Sequence, residues 1–330
     1  MASVTTQSAP QCGLTTFAPA GHYAASGTLG GPGLVLAGSG LTMPPAVFHW
    51  IHTRLGFGSA RRGNVVVLRA TGDNYYDRPF YRRGDFASVR TVVVPHCAPR
   101  AVVDSAARYV NGADAVFFSG GDQANYAAWK GSKLISAVKA LYARRGIVGG
   151  GSAGLAIQGA VVYDAVAADR WNNDTHTADA VKYPLERRIS FTTNFFAWPA
   201  LARTITDTHF VARDRFGRLV VFLARISHDG LLPPDGSIYG LGVDQESAVV
   251  VDPDGIGTVV NTGKGHGAYL LRAPSVWHGT LRAPIHFTVL VSHMARAGET
   301  FDLLRKRTSE PWYSVTVNGA SKQIYSRNPY

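Results

Sequence analysis

The feature that most constrains this chain is the stretch over residues 146–160, GIVGGGSAGLAIQGA. A short apolar entry, Ile147 and Val148, runs into a cluster of glycines with Ser152 among them, and a small-residue, helix-compatible segment follows over 153–157. Gly150, Ser152 and Gly154 fit the G-x-S-x-G spacing of a nucleophile elbow, a sharp strand-to-helix turn. The backbone doubles back there, so a Cβ at either flank would clash, and the serine is forced into a strained conformation. The turn holds the hydroxyl clear of the sheet at a helix start, where backbone N–H groups and the helix dipole can stabilise an oxyanion. The plainer alternative is a Gly-rich turn that binds an anion or nothing, with the serine only an N-cap. The pentapeptide alone does not choose between them.

Length and composition narrow the setting. With 330 residues, 46% hydrophobic and 17% charged, the chain has ample material for a core and is unlike a disordered sequence. No run of about 18 apolar residues occurs, so no membrane span is read. The net charge of +11 comes mostly from scattered arginines without a basic block. Nucleic acid is therefore not the expected partner. The two cysteines, Cys12 and Cys97, lack metal-ligand spacing, so no metal site and no cofactor are expected. Either one disulfide in an exported protein or two unrelated thiols fits them. The opening MASVTTQSAPQCG has no basic and no apolar region, so no signal peptide is read. The protein is then either cytoplasmic or a mature secreted form.

Taken in order, residues 1–30 read as an irregular segment rich in Gly, Ser, Thr and Pro. Apolar runs at 34–37, 65–68, 92–94 and 115–118 read as strands, the first short and buried and the second typical of a strand covered on both faces. The first ends in the glycine turn Gly38-Ser39-Gly40 and the last in Ser119-Gly120-Gly121-Asp122-Gln123. Helices are expected over 44–55, 105–110 and, as one long element, 126–143. This alternation predicts an α/β fold with a mostly parallel sheet flanked by helices, and loops after 37, 118 and 148 converging on one crevice. Residues 238–251 read as strand, turn, strand, and 256–293 as short β pieces. The expectation is a single domain over 31–293 with a β-rich C-terminal extension and a tail over 294–330 packed on it.

A serine nucleophile needs an oriented base. Of the 11 histidines, His209 has distinctive company: Asp207 and Thr208 precede it, and Arg213, Arg215 and Arg218 follow. In a helix Arg215 and Arg218 share a face. They form either a solvated basic face or a carboxylate clamp, for which the guanidinium fork is suited.

The motifs GGDQ at 120–123, GGSAG at 150–154, DTHFVARDRFGRL at 207–219 and GLGVDQESA at 240–248 together resemble the cyanophycinase family, serine peptidases related to aspartyl dipeptidases. The resemblance implies a class I glutamine amidotransferase-like sheet, a homodimer, and hydrolysis of a poly-aspartate backbone bearing arginine to β-Asp-Arg dipeptides. It makes Ser152 the nucleophile and His209 the base. Gln123, Asp207, Arg213, Arg215 and Arg218 would line the substrate pocket, and Gly121 and Ala153 would supply oxyanion N–H groups. Two positions depart from the family pattern. Thr208 stands where the family has Gln, and Gln245 stands where it has the glutamate that orients the histidine. Gln245 can still accept the histidine N–H without supplying charge, as asparagine does in papain-like enzymes. Glu246 would need a one-residue shift, which in a strand points to the opposite face. Asp164 and Asp179 are weaker candidates for the same role.

Overall fold

The computed structural model describes residues 12–39, 43–58, 60–169, 174–234 and 236–330. Gly40 of the first glycine turn and residues 1–11 lie outside the described residues. Two short edge strands, β1 (Thr15–Thr16) and β2 (Ala20–Gly21), precede β3 (Gly33–Ala37), α1 (Pro45–Arg54), β4 (Asn64–Arg69), α2 (Asp77–Arg83) and β5 (Ser88–Val93). The helices α3 (Arg100–Ser105) and α4 (Ala107–Asn111) lead to β6 (Ala115–Phe118), α5 (Gln123–Ala127), α6 (Lys133–Ala143) and β7 (Ile147–Gly151). Beyond the glycine cluster come α7 (Ala153–Ala156), β8 (Val161–Tyr163), α8 (Val166–Asp169), α9 (Thr177–Lys182), β9 (Phe191–Thr193), β10 (Thr204–Asp207) and α10 (Phe216–His228). The rest is β: β11 (Ile238–Val243), β12 (Ser247–Val251), β13 (Ile256–Asn261), β14 (Ala268–Ala273), β15 (His286–Met294), β16 (Thr300–Asp302), β17 (Arg307–Thr308) and β18 (Tyr313–Asn318).

Among the described residues these strands form two sheets. In the eleven-stranded sheet, β5, β4, β6, β7 and β3 are parallel neighbours, and β12 joins β3 antiparallel. Both faces of the parallel part are covered, which is why its strands read as unbroken apolar runs. Val35, Val65, Val67 and Phe117 pack towards α1 and α2. Their neighbours Leu34, Leu36, Val66, Leu68 and Phe118 pack into the opposite layer with residues of α3, α4, α6 and the second sheet. That seven-stranded sheet runs β18-β15-β14-β11-β10-β8-β9, with β11, β10 and β8 parallel. Its far face is covered by α10, which is almost wholly buried and carries Arg218 into the interior among apolar side chains.

The α/β alternation and the β-rich C-terminal part agree with the sequence, and three local readings change. The long helix expected over 126–143 is two, because Gly131 takes a φ of +72° and the Ser132 hydroxyl accepts from Ile135 N–H to start α6 afresh. The strand-turn-strand over 238–251 is no hairpin: β11 belongs to the second sheet and β12 to the first. Residues 300–318 are woven into both sheets through β16, β17 and β18. Cys12 and Cys97 form a disulfide that ties the segment before β1 to the loop after β5. Among the described residues no helix is long and apolar enough to cross a membrane.

Candidate active site

The glycine cluster folds as the spacing requires. Ser152 follows β7 directly, at φ 54° and ψ −118°, and acts as the N-cap residue of α7 without making a side-chain cap bond. A Cβ on Gly150 would lie 2.1 Å from the Gly154 carbonyl oxygen, and one on Gly154 would lie 2.1 Å from that of Phe118. Neither backbone can retreat, so both flanking positions must be glycine. The half-exposed hydroxyl is held by a conformation that costs about 1–3 kcal/mol and needs support from its surroundings. Since α7 has only four residues, its macrodipole is slight. What it offers is the N–H of Ala153 at the first helical position, which has no intrahelical acceptor. Gly121, at φ +145°, turns the loop after β6 alongside, and both residues line the same cavity.

His209 reaches the serine from the second sheet, on the turn after β10. Its Nε2 lies 2.8 Å from Ser152 Oγ, and its backbone N–H donates to the Gly38 carbonyl at the end of β3. The ends of β3 and β7 thus meet His209, and the loop after β6 lines the cavity beside Ser152. On the other side of the ring, Gln245 Nε2 lies 2.7 Å from His209 Nδ1. Facing that way, the amide donates to Nδ1 and the ring hydrogen sits on Nε2, where it points at the serine. Turned by 180°, the amide presents Oε1, accepts from Nδ1–H and frees Nε2 to take the serine proton. A carboxylate would enforce the second arrangement, whereas an amide permits both.

The other carboxylates proposed for that place are engaged elsewhere. Glu246 turns away at φ 55° and accepts from Thr262 Oγ1 at 2.6 Å. Asp164 accepts from Ser190 and Thr192, and Asp179 is exposed on α9. Burial, reinforced by Arg213 and Arg215, pushes the His209 imidazole down to about 4. The ring is therefore neutral, the form a general base needs.

Beside the serine is a cavity of about 260 Å³, whose wall includes Gly121, Gln123, Ala153, Thr208, Arg213, Arg215 and Arg218. The three arginines differ. Arg218 is buried, and its fork meets Asp207 twice, Nε to Oδ2 at 2.8 Å and Nη2 to Oδ1 at 2.6 Å, while Nη1 donates to Asp174 at 2.7 Å. Arg215 donates to Thr208 Oγ1 at 2.8 Å and to Asp174. The expected shared face of Arg215 and Arg218 is real, but it is neither a solvated basic face nor a vacant clamp, because carboxylates of this chain already occupy it. Asp207 likewise lies beneath the pocket as their counter-ion, not on its wall. Arg213, by contrast, is exposed and makes no ion pair among the described residues.

No family model and no curated protein matches this chain. Among solved structures it is similar to a peptidase from an acI-B1 Actinobacterium, at 18% identity and a TM-score of 0.47, covering 73% of this chain and 91% of that one. It is also similar to a protein described as peptidase E from Listeria monocytogenes EGD-e, at 12% identity and a TM-score of 0.39, covering 70% and 98%.

Two residues at the site escaped the sequence reading. Asp174 bridges Arg215 and Arg218. Burial raises its carboxyl, but Arg218 and Arg215 outweigh that and hold it below the usual range. No local signal marks it, because Asp174 lies 41 and 44 residues from the two arginines and outside their motif. Asp244 lay inside a motif without a role. Its buried carboxylate accepts from the Val211 and Ala212 N–H groups at 2.9 and 3.0 Å and meets His266 Nδ1 at 2.9 Å, so it braces the turn behind His209.

Proposed function

We propose that the protein is a serine-type hydrolase that cleaves β-aspartyl-arginine material, cyanophycin itself or its β-Asp-Arg units. The observation that carries this reading is the 2.8 Å approach of Ser152 Oγ to His209 Nε2 at a strained elbow, beside a pocket that presents an arginine with no ion pair among the described residues. As Oγ bonds to the scissile carbonyl carbon, its proton passes to His209 Nε2. The oxyanion is met by the N–H groups of Ala153 and Gly121. His209 then gives the proton to the departing amine, the C–N bond breaks, and water releases the acyl group from Ser152 by the same steps. Arg213 holds an aspartate carboxylate of the β-Asp-Arg substrate. The homodimer belongs to the same proposal, and the disulfide supports the secreted form over the cytoplasmic one.

One observation favours a related substrate instead, such as that of an aspartyl dipeptidase or an amidase of another β-aspartyl compound. The Thr208 hydroxyl, standing where the family has an amide, is buried, accepts from Arg215 and is shorter than the amide it replaces. The deciding experiment labels the protein with a serine-directed phosphonate, locates the adduct by mass spectrometry, and then identifies products from cyanophycin and from β-aspartyl dipeptides. The expected result is an adduct on Ser152, dipeptide products, and a loss of roughly 10⁴–10⁶ in kcat for Ser152→Ala with unchanged melting. Absence of both adduct and products would make this a non-catalytic anion-binding module.

A further inference from the structure

Helix α10 carries Arg218 into the site, and Arg215 is its N-cap residue, yet it starts without a side-chain cap of its own. Its orphan N–H groups are satisfied from far along the chain. Phe216 N–H donates to the Tyr330 hydroxyl at 3.0 Å and Gly217 N–H to the Tyr325 hydroxyl at 3.3 Å, across 114 and 108 residues. Arg218 N–H takes Thr177 Oγ1 at 3.2 Å. Both phenols then donate to the same oxygen, Asp214 Oδ1, each at 2.8 Å. Burial pushes both phenols above their usual range, so each keeps its donor hydrogen through neutral pH.

Asp214 is no ordinary surface acid. At φ 45° it closes a tight turn that opens with His209 at φ 47°. The turn is laced by Arg213 N–H to the His209 carbonyl and Arg215 N–H to the Phe210 carbonyl. Arg213, exposed on the pocket wall, is the residue just before Asp214. Asp244 and the Gly38 carbonyl brace the His209 end of the turn, while the two tyrosines brace the other.

We propose that Tyr325 and Tyr330 are positioning residues of the site, whose hydroxyls clamp Asp214 and so fix Arg213 and the Arg215–Asp174–Arg218 lattice on the pocket wall. Their rings pack on Phe216 and Phe210, so Tyr→Phe removes the clamp and leaves the packing. The role in substrate binding rests on the hydrolase reading above; the mechanical link to the turn does not.

The test uses Tyr325→Phe, Tyr330→Phe and the double variant of the full chain. Amide exchange should quicken roughly tenfold in the double variant, not only at Phe216 and Gly217 but also at Arg213 and Arg215. On β-Asp-Arg substrate KM should rise at least fivefold while kcat stays within twofold, since the Ser152–His209 end has its own supports. In an Arg213→Ala background the same substitutions should change KM no further. Faster exchange confined to Phe216 and Gly217, with KM unchanged, would make the tyrosines a plain helix cap and overturn the proposal. If the unmodified protein takes no label on Ser152, the hydrolase reading falls by itself. Exchange at Arg213 and Arg215 still decides whether these hydroxyls set the turn.

Discussion

Replacing Gln245 by glutamate should make the protein a faster hydrolase. In the proposed mechanism His209 becomes an imidazolium when it takes the serine proton, but burial and two arginines hold its ring at about 4, well below the ordinary 6.5. At 1.36 kcal/mol per pKa unit, forming that cation costs about 3 kcal/mol more than at an ordinary histidine. The Gln245 amide at 2.7 Å from Nδ1 supplies only a dipole against this. A carboxylate in the same place raises the pKa by about 1–3 units, which lowers the cost by roughly 1.4–4 kcal/mol and corresponds to about 10- to 10³-fold in rate. It also accepts only, so it fixes the hydrogen on Nδ1, the tautomer whose loss accounts for the roughly 10⁴ deficit when a serine-protease triad Asp becomes Asn. The assay is kcat/KM against pH for both proteins on one β-Asp-Arg substrate. The base works when neutral, so activity falls as pH drops through its pKa: near 4 in the native protein, near 5–7 in Gln245→Glu, with a plateau at least tenfold higher. Glu246→Ala should change neither limb nor plateau. A Gln245→Glu variant that folds normally, keeps its acid limb near pH 4 and gains no rate would refute the reasoning.

The arginines divide into two predictions. Arg218→Met should lower stability by about 3–5 kcal/mol in chemical denaturation, because Asp207, 2% exposed, loses its bidentate partner and stays buried. Arg213→Ala should leave stability within about 0.5 kcal/mol but raise KM tenfold or more, and lysine there should rescue only in part, a point charge replacing a fork.

The elbow was legible because its constraint is purely local. Gly150 and Gly154 are demanded by backbone contacts with Gly154 and Phe118, and these leave their mark in the spacing itself. The apolar runs of β3, β4 and β6 were legible for a similar reason, burial on both faces. What the sequence hid is partnership at a distance. The run over 238–251 contains two good strands, but nothing local says that residues 244–246 carry the chain from one sheet to the other, and that crossing is what brings Gln245 behind His209. The arginines failed in the same way: a guanidinium that will bind substrate and one that will bind Asp174 look alike until the fold brings the aspartate in. A long helix over 126–143 was plausible from its apolar spacing, and a single left-handed glycine with a capping serine divided it.

The disulfide gives the last prediction, and its size depends on what unfolds. Cys12 and Cys97 are 85 residues apart, a loop whose closure restricts the unfolded chain by about 4–5 kcal/mol in the chain-entropy model. That full amount is felt only if the reduced protein keeps its N-terminal arm in place. The arm holds poorly by itself. Strand β1 matches β5 through Thr15 and Thr16, with Phe17 N–H adding one bond to the Thr91 carbonyl; β2 matches it through Ala20 and Gly21, with His22 N–H adding one to the Ala87 carbonyl, and the exposed ring of Tyr23 adds little burial. Two-residue pairings at a sheet edge contribute too little to resist fraying. Reduction, or the double Cys→Ser variant, should therefore release the arm before the sheet opens. The expected signs are rapid proteolysis between residues 12 and 24, a fall in global stability well short of 4 kcal/mol, and unchanged phosphonate labelling of Ser152, since the cavity wall draws on neither cysteine nor arm. An arm that stays protease-resistant after reduction, with the whole 4–5 kcal/mol lost, would mean that its edge pairing carries more than two-residue strands normally do.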